Sequence, residues 1–237
     1  KVGPQPVVSL ARKMGIKSYL PKVPSIALGS PDISLFEMVG AYGTFANKGI
    51  YVEPIMVTSI EDKNGTVVYE VVPKTKDVLS EETAYVTLNL MKGVTESGSG
   101  QRLRHSGADE NNYAYKTIVT GYPYQFTNPI AGKTGTTQNQ SDGWFMGIVP
   151  NLVTGVWVGG EDRSIHFEDI AFGQGASMAL PIWALYMRDV YKNQNLGISQ
   201  EDFEEPEKVS IPTDCDKFDS NKLNIIGADE DLEDLGF

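Results

Sequence analysis

The stretch AGKTGTT, residues 131–137, carries the residue types with the most chemical potential in this chain. Its Gly132-Lys133-Thr134 suits two unrelated chemistries. A phosphate-cradling P-loop needs a glycine five positions before Gly132 and a helix after the Thr; here position 127 is Thr and a strand-like alternating run follows. Spacing and context both exclude that reading. The other chemistry is acyl transfer on an edge strand beside a cleft. There Lys133 supplies a fixed positive charge for a substrate carboxylate, and the Thr134 and Thr136 hydroxyls hydrogen-bond the same group. Gly135 lets an acyl donor lie flat on the backbone, and the Thr136 N–H aims at the developing oxyanion. Thr137 extends the substrate-binding strip. A chance K-T-G-T arises about once in several hundred chains of this length, so the tetrapeptide by itself is only moderately specific.

The elements that must position this strip are legible in outline. Three short β-type runs, 130–137, 142–149 and 152–159, are separated by polar turns and predict an antiparallel meander. Asp142 reads as a turn residue and Trp144 as core packing. A helix over 176–192 follows, with Pro181 expected in its first turn. Upstream, apolar spacing predicts a helix over 4–15. A capping box, Ser34 and Glu37, opens a second helix that ends near Gly49. Residues 51–72 predict a hairpin around Asn64-Gly65. Ser80-Glu-Glu starts a third helix that should stop at Gly93. Residues 95–128, rich in Gly, Ser, Asn and Tyr, predict a long loop, whose Tyr113, Tyr115, Tyr122 and Tyr124 either pack on the surface or cover a cleft.

Bulk properties remove several function classes. The 237 residues suffice for a sizeable core, and no apolar run reaches membrane-spanning length. The net charge of −11 is unevenly placed: from Glu201 onward there are 13 acidic residues and 3 Lys, against 18 acidic and 17 basic before it. The body is thus nearly neutral, without a Lys/Arg run, which argues against a nucleic-acid partner. The tail from 199 to 237 reads as an acidic, partly disordered extension. The single Cys215 excludes an internal disulfide, and His105 and His166 stand in no metal-ligand spacing, so surface positions are expected for both. No metal and no cofactor are implied. The chain opens on Lys1-Val2-Gly3-Pro4, which is not a signal peptide and suggests a piece of something longer.

Four stretches together resemble one family, the transpeptidase domain of bifunctional (class A, type 1A) penicillin-binding proteins. AGKTGTTQNQSDGWFMGIVPNLVTGVWVGG is similar to its K-T-G strand, turn and next two strands. IALGSPDISLFEMVGAYGTFANKGIYVEP resembles a preceding helix with its flanks, MKGVTESGSGQRLR the segment before the K-T-G strand, and ASMALPIWALYMRDV the closing helix. The likeness covers residues 5–192, with 105–128 as a long loop or insertion and 199–237 outside it.

The resemblance implies an α+β, β-lactamase/transpeptidase-like fold, an antiparallel sheet flanked by helices, present in residues 1–198 as an incomplete C-terminal portion. It implies Ser acyl transfer between peptidoglycan stem peptides, acylation by β-lactams, an upstream glycosyltransferase domain with a membrane anchor, and a place on the extracytoplasmic face of the bacterial inner membrane. The family's nucleophilic Ser-x-x-Lys and its Ser-x-Asn are missing: no Ser here has Lys at the third position after it, and the nearest look-alike, Tyr191-Lys-Asn193, lies on the wrong side of the K-T-G strand. The chain alone is therefore expected to be inactive and to need the upstream half of the same domain, either bound or compensated by self-association. Two other classes fit the same motif: a serine β-lactamase-like hydrolase, and a non-catalytic module that binds cell-wall peptide.

Overall fold

The computed structural model describes residues 2–104, 122–211 and 213. They fall into two compact units, with the change between Ala84 and Tyr85.

The first unit opens with α1 (Pro4–Lys13), whose proline sits in the first turn, where its missing N–H costs nothing. After a 3₁₀ turn at Pro24–Leu28, the capping box forms as expected: the Ser34 hydroxyl accepts from the Glu37 N–H, and α2 runs over Leu35–Ala46. Val8, Met14, Ile16, Leu20, Ala41 and Val78 make this unit's core. Glu37 does more than cap. Its carboxylate also accepts from the backbone N–H groups of Lys17 and Ser18 at 2.6 and 2.8 Å, and from the Ser18 hydroxyl at 2.5 Å.

The Ser18 hydroxyl is the main cause that lowers the Glu37 carboxyl to about 2 from 4.5; burial opposes it, and the Lys17 and Ser18 N–H groups and the Ser34 side chain add to it. A depressed carboxyl contributes stability that is complete above its unfolded value and lost as pH falls through its folded one. Thermal melts should therefore show stability declining between about pH 5 and pH 2, and Glu37→Gln should flatten that slope; solvent screening of this accessible carboxylate holds the loss at neutral pH to about 1 kcal/mol. An unchanged slope in the variant would remove this role.

The hairpin lies inside a longer excursion than the one predicted. β2 (Ser59–Glu61) and β3 (Val67–Glu70) pair antiparallel. Their turn is held by the Asp62 carboxylate, which accepts from the N–H groups of Asn64 and Thr66. Around it, β1 (Ile50–Val52) pairs with β4 (Thr75–Asp77), so the hairpin expected over 51–72 is the inner of two nested ribbons that span 50–77. Strands of three residues are too short for alternation to reveal them.

The second unit contains the meander. α3 (Glu81–Glu96) enters it and runs through Gly93 instead of stopping there; the Ser97 N–H closes back on the Gly93 carbonyl. β5 (Ala131–Thr136), β6 (Asp142–Val149) and β7 (Leu152–Gly159) form a three-stranded antiparallel sheet in that order. After a one-turn helix α4 (Ile170–Gly173), helix α5 (Gly175–Lys192) lies across one face. Pro181 is the seventh residue of α5, not part of its first turn. The helix starts early because Gly175–Leu180 are buried against the sheet, and that packing outweighs the helix-breaking cost of the proline.

Alternation puts Phe145, Gly147 and Val149 of β6 and Leu152, Thr154, Val156 and Val158 of β7 towards α5. Trp183 fills the centre, edge-on to Phe145 at 5.2 Å, with its indole N–H donating to the Thr154 hydroxyl at 2.5 Å. Gly147 makes room for it, since a Cβ there would fall 2.3 Å from the indole. Tyr124 and Phe126 join this core and Tyr122 packs against it. The end of the predicted loop is thus a core segment. Tyr113, Tyr115 and His105 lie outside the described residues. The first part of the acidic stretch rests on the unit: Phe203 is buried and Asp202 takes the Lys92 ammonium at 2.9 Å on both oxygens.

Candidate active site

β5 is an edge of the sheet among the described residues. Its register with β6 is unbroken, from Ala131 opposite Ile148 to Thr136 opposite Gly143. At the turn, the Thr137 N–H donates to the Asp142 carbonyl at 3.1 Å, so 137 and 142 form a hydrogen-bonded pair. Antiparallel ladders alternate bonded and non-bonded pairs. The N–H and C=O groups of Thr134 and Thr136 therefore point away from β6, off the open edge, while those of Lys133 and Gly135 belong to the ladder.

The side chains divide between two faces. Thr134 and Thr136 stand on the α5 side, where the Ser99 hydroxyl lies 2.5 Å from the Thr134 hydroxyl. The Thr136 hydroxyl oxygen accepts from the Gly175 N–H at 3.0 Å, satisfying one of the unpaired donors at the start of α5. Lys133 and Gly135 stand on the other face, Gly135 beside the half-buried Trp144. The exposed Lys133 returns to the edge by folding its ammonium onto the Thr134 carbonyl at 2.7 Å. The cation, one hydroxyl pair and two outward N–H groups thus gather along one strand edge, with the positive end of α5 behind Thr136.

Thr137 is occupied differently. Its hydroxyl lies 2.9 Å from that of Ser141, donates to the Asp142 carboxylate at 3.0 Å and accepts from the Asp142 N–H at 2.9 Å. Asp142 also accepts from the Trp157 indole at 3.0 Å, so this group ties the turn together. Asn139 and Gln140 take left-handed backbone, at φ 63° and 52°, in the same turn. Trp144 lies on the face opposite α5, paired with Trp157, and is not part of the central core. His166 is exposed, its ring against the Phe167 carbonyl.

Motif reading missed the residues that hold this edge in place. Arg104 donates to the Phe126 and Asn128 carbonyls and, at 3.0 Å, to the Thr95 hydroxyl, which donates to the Ile130 carbonyl at 2.6 Å. This knot fixes the entry into β5. Arg102 reaches the Ala176 carbonyl and the Ser177 hydroxyl at 3.0 and 2.7 Å, fixing the start of α5. The only sequence signal was the run SGSGQRLR, which shows no periodicity and no pairing partner by itself.

A likeness among solved structures follows this geometry. A crystal structure of penicillin-binding protein 1A from Haemophilus influenzae superposes with a TM-score of 0.69 at 22% identity, over 87% of this chain and 33% of that one, a likeness of fold. PonA1 of Mycobacterium tuberculosis, determined with penicillin V, superposes with a TM-score of 0.62 at 25% identity, covering 87% of this chain and 54% of that one. The fold is that of the β-lactamase/transpeptidase class, α+β with an antiparallel sheet flanked by helices.

The family model for the penicillin binding protein transpeptidase domain matches residues 17–161, and this chain belongs to that family. Among curated proteins, penicillin-binding protein 2D of Bacillus subtilis is 34% identical over 195 residues, 81% of this chain and 25% of that protein. Penicillin-binding protein 1A of Aquifex aeolicus is 30% identical over 98% of this chain and 27% of its own length. The chain spans about a quarter of the length of these relatives.

Proposed function

We propose that this chain supplies one wall of a serine D,D-transpeptidase site that cross-links peptidoglycan stem peptides. The observation that carries the reading is the open edge of β5, with the Thr134 and Thr136 backbone pointing outward and the Lys133 ammonium beside them. A stem peptide ending in D-Ala-D-Ala lays its backbone along this edge over Gly135. Its terminal carboxylate is held by Lys133 and the Thr134 and Thr136 hydroxyls, with Thr137 bounding the strip at the turn.

A serine from a Ser-x-x-Lys in the preceding half of the domain attacks the penultimate carbonyl. The Thr136 N–H stabilises the oxyanion, which collapses with loss of the terminal D-Ala. An amine of a neighbouring stem then takes the acyl group and frees the serine. β-Lactams acylate the same serine. The remaining parts of the reading are the division into 1–198 as transpeptidase portion and 199–237 as acidic tail, an upstream glycosyltransferase domain and membrane anchor, a site outside the inner membrane, and no activity of this chain by itself.

The test is intact mass with peptide mapping after penicillin treatment of the protein extended upstream through the Ser-x-x-Lys. A stable penicilloyl adduct on that serine is expected; a folded protein that takes no adduct would leave a non-catalytic peptide-binding domain instead. Within the same assay, Ser99→Ala should slow acylation by about fivefold, because the Thr134 hydroxyl loses the partner that orients it. Stability should stay within about 0.5 kcal/mol. A rate equal to that of the unaltered protein would separate Ser99 from the site.

A further inference from the structure

Five of the chain's cations gather in the first unit around an open surface hollow of about 260 Å³: Arg12, Lys13 and Lys17 from the end of α1 and the segment after it, and Lys74 and Lys76 from β4 and its approach. Tyr51 and Glu53 line the remainder with Gly15 and Thr75. No run of basic residues announces this cluster, because more than fifty positions separate its two halves. The pairing of β1 with β4 brings them together.

Part of the cluster has an ordinary explanation. Arg12 and Lys13 sit in the last turn of α1, where cations suit the helix dipole, and Arg12 donates to the Ile16 carbonyl at 2.7 Å. Lys17, Lys74 and Lys76 have no such helix end to serve. Glu53 is the one carboxylate lining the hollow, 3.4 Å from the Lys17 ammonium and 3.9 Å from that of Lys74. One negative charge against five positive ones leaves this hollow electropositive in a body whose total charge is near neutral. Mutual repulsion of this kind lowers stability and is relieved by a multiply charged anion.

The floor is built rather than incidental. The Tyr51 ring lies on Gly15, where a Cβ would fall 2.2 Å from its phenol oxygen, and Gly15 holds φ at +91°, a conformation suited to glycine. The Arg12 guanidinium donates to the Ile16 carbonyl through one nitrogen and keeps further N–H donors of the kind suited to phosphate oxygens, and it lines the hollow together with four lysines. The volume suits one or two phosphate groups, since sites for larger organic ligands start at about 300 Å³.

We propose that this hollow binds a phosphate or pyrophosphate group, free or as the headgroup of an anionic lipid, at a site separate from the β5 edge. The test is calorimetric titration of the full chain with inorganic pyrophosphate, beside sedimentation with phosphatidylglycerol or phosphatidylcholine vesicles. Pyrophosphate should bind, and the pair Lys74→Ala and Lys76→Ala should weaken it at least tenfold. Lys74→Arg with Lys76→Arg should restore it, and Lys63→Ala, in the hairpin turn, should leave it unchanged. A melt of each variant shows that the fold is kept. Binding to phosphatidylglycerol but not phosphatidylcholine vesicles, with the same dependence on the pair, identifies a lipid headgroup; binding of pyrophosphate without vesicles identifies a soluble phosphate. The proposal is overturned if pyrophosphate gives no more heat than sodium chloride of equal ionic strength, or if Lys63→Ala weakens binding as much as the pair does.

Discussion

Replacing Lys133 with Ala in the upstream-extended protein should slow penicilloylation by about a hundredfold while leaving the melting temperature unchanged. Both halves of this expectation rest on where the ammonium sits. Lys133 is exposed, and its one described contact is with the Thr134 carbonyl at the strand edge, so no packing is lost on truncation. A hydrogen bond to a charged group contributes about 1.5–3 kcal/mol, and each ~1.4 kcal/mol of transition-state stabilisation is tenfold in rate. Lys133→Arg keeps the charge but places a planar fork where a compact ammonium folds back on its own strand, so it should recover only part of the rate. Acylation by the Ala variant within threefold of the native rate would falsify the carboxylate-binding role.

The second large effect lies at the contact between α5 and the sheet. Gly175→Ala should lower stability by about 3 kcal/mol, or about 10 °C in melting temperature. A Cβ at Gly175 would fall 2.2 Å from the Gly135 carbonyl oxygen and 2.5 Å from that of Trp144, both backbone atoms of the β5–β6 ladder. Neither can swing aside as a side chain would. The helix start must lift, and with it goes the hydrogen bond from the Gly175 N–H to the Thr136 hydroxyl. Acylation of the extended protein should therefore fall together with stability. Gly93→Ala is the matched control: it lies inside α3 with nothing within 4 Å of its Cβ position, and should stabilise by about 0.5–1 kcal/mol. Equal melting temperatures for the two variants would show that the close approach at Gly175 carries no energy.

How much was legible can be judged residue by residue. The capping box at Ser34 and Glu37 was, because both partners lie within one turn. The other work of Glu37, holding Lys17 and Ser18, was not: its partners lie nineteen and twenty positions away, joined only when the chain folds back. The same distinction separates Asn64-Gly65, which announced the inner hairpin, from the β1–β4 pair around it. Gly93 gave a false stop, because a glycine signals a helix end only where the following residues leave the helix. Pro181 gave a false start for the opposite reason: burial of Gly175–Leu180 kept those residues helical ahead of it.

By itself the sequence determined the family and the meander of β5 to β7, and it put Lys133 to Thr136 on the first strand of that meander, since these depend on local alternation and on a short ordered set of residue types. Tertiary structure decided what surrounds the strip. It put Ser99 against Thr134, capped α5 with Thr136, turned the Thr137 hydroxyl inward to its own turn, and set Arg102 and Arg104 as the clamps behind. It also gathered five cations that the sequence spreads over two distant segments. Apart from the Thr137 turn, whose partners are its near neighbours, the physical reason is the same: these contacts join positions well separated in the chain, and only the packing of each unit's core brings them within hydrogen-bonding or coulombic range.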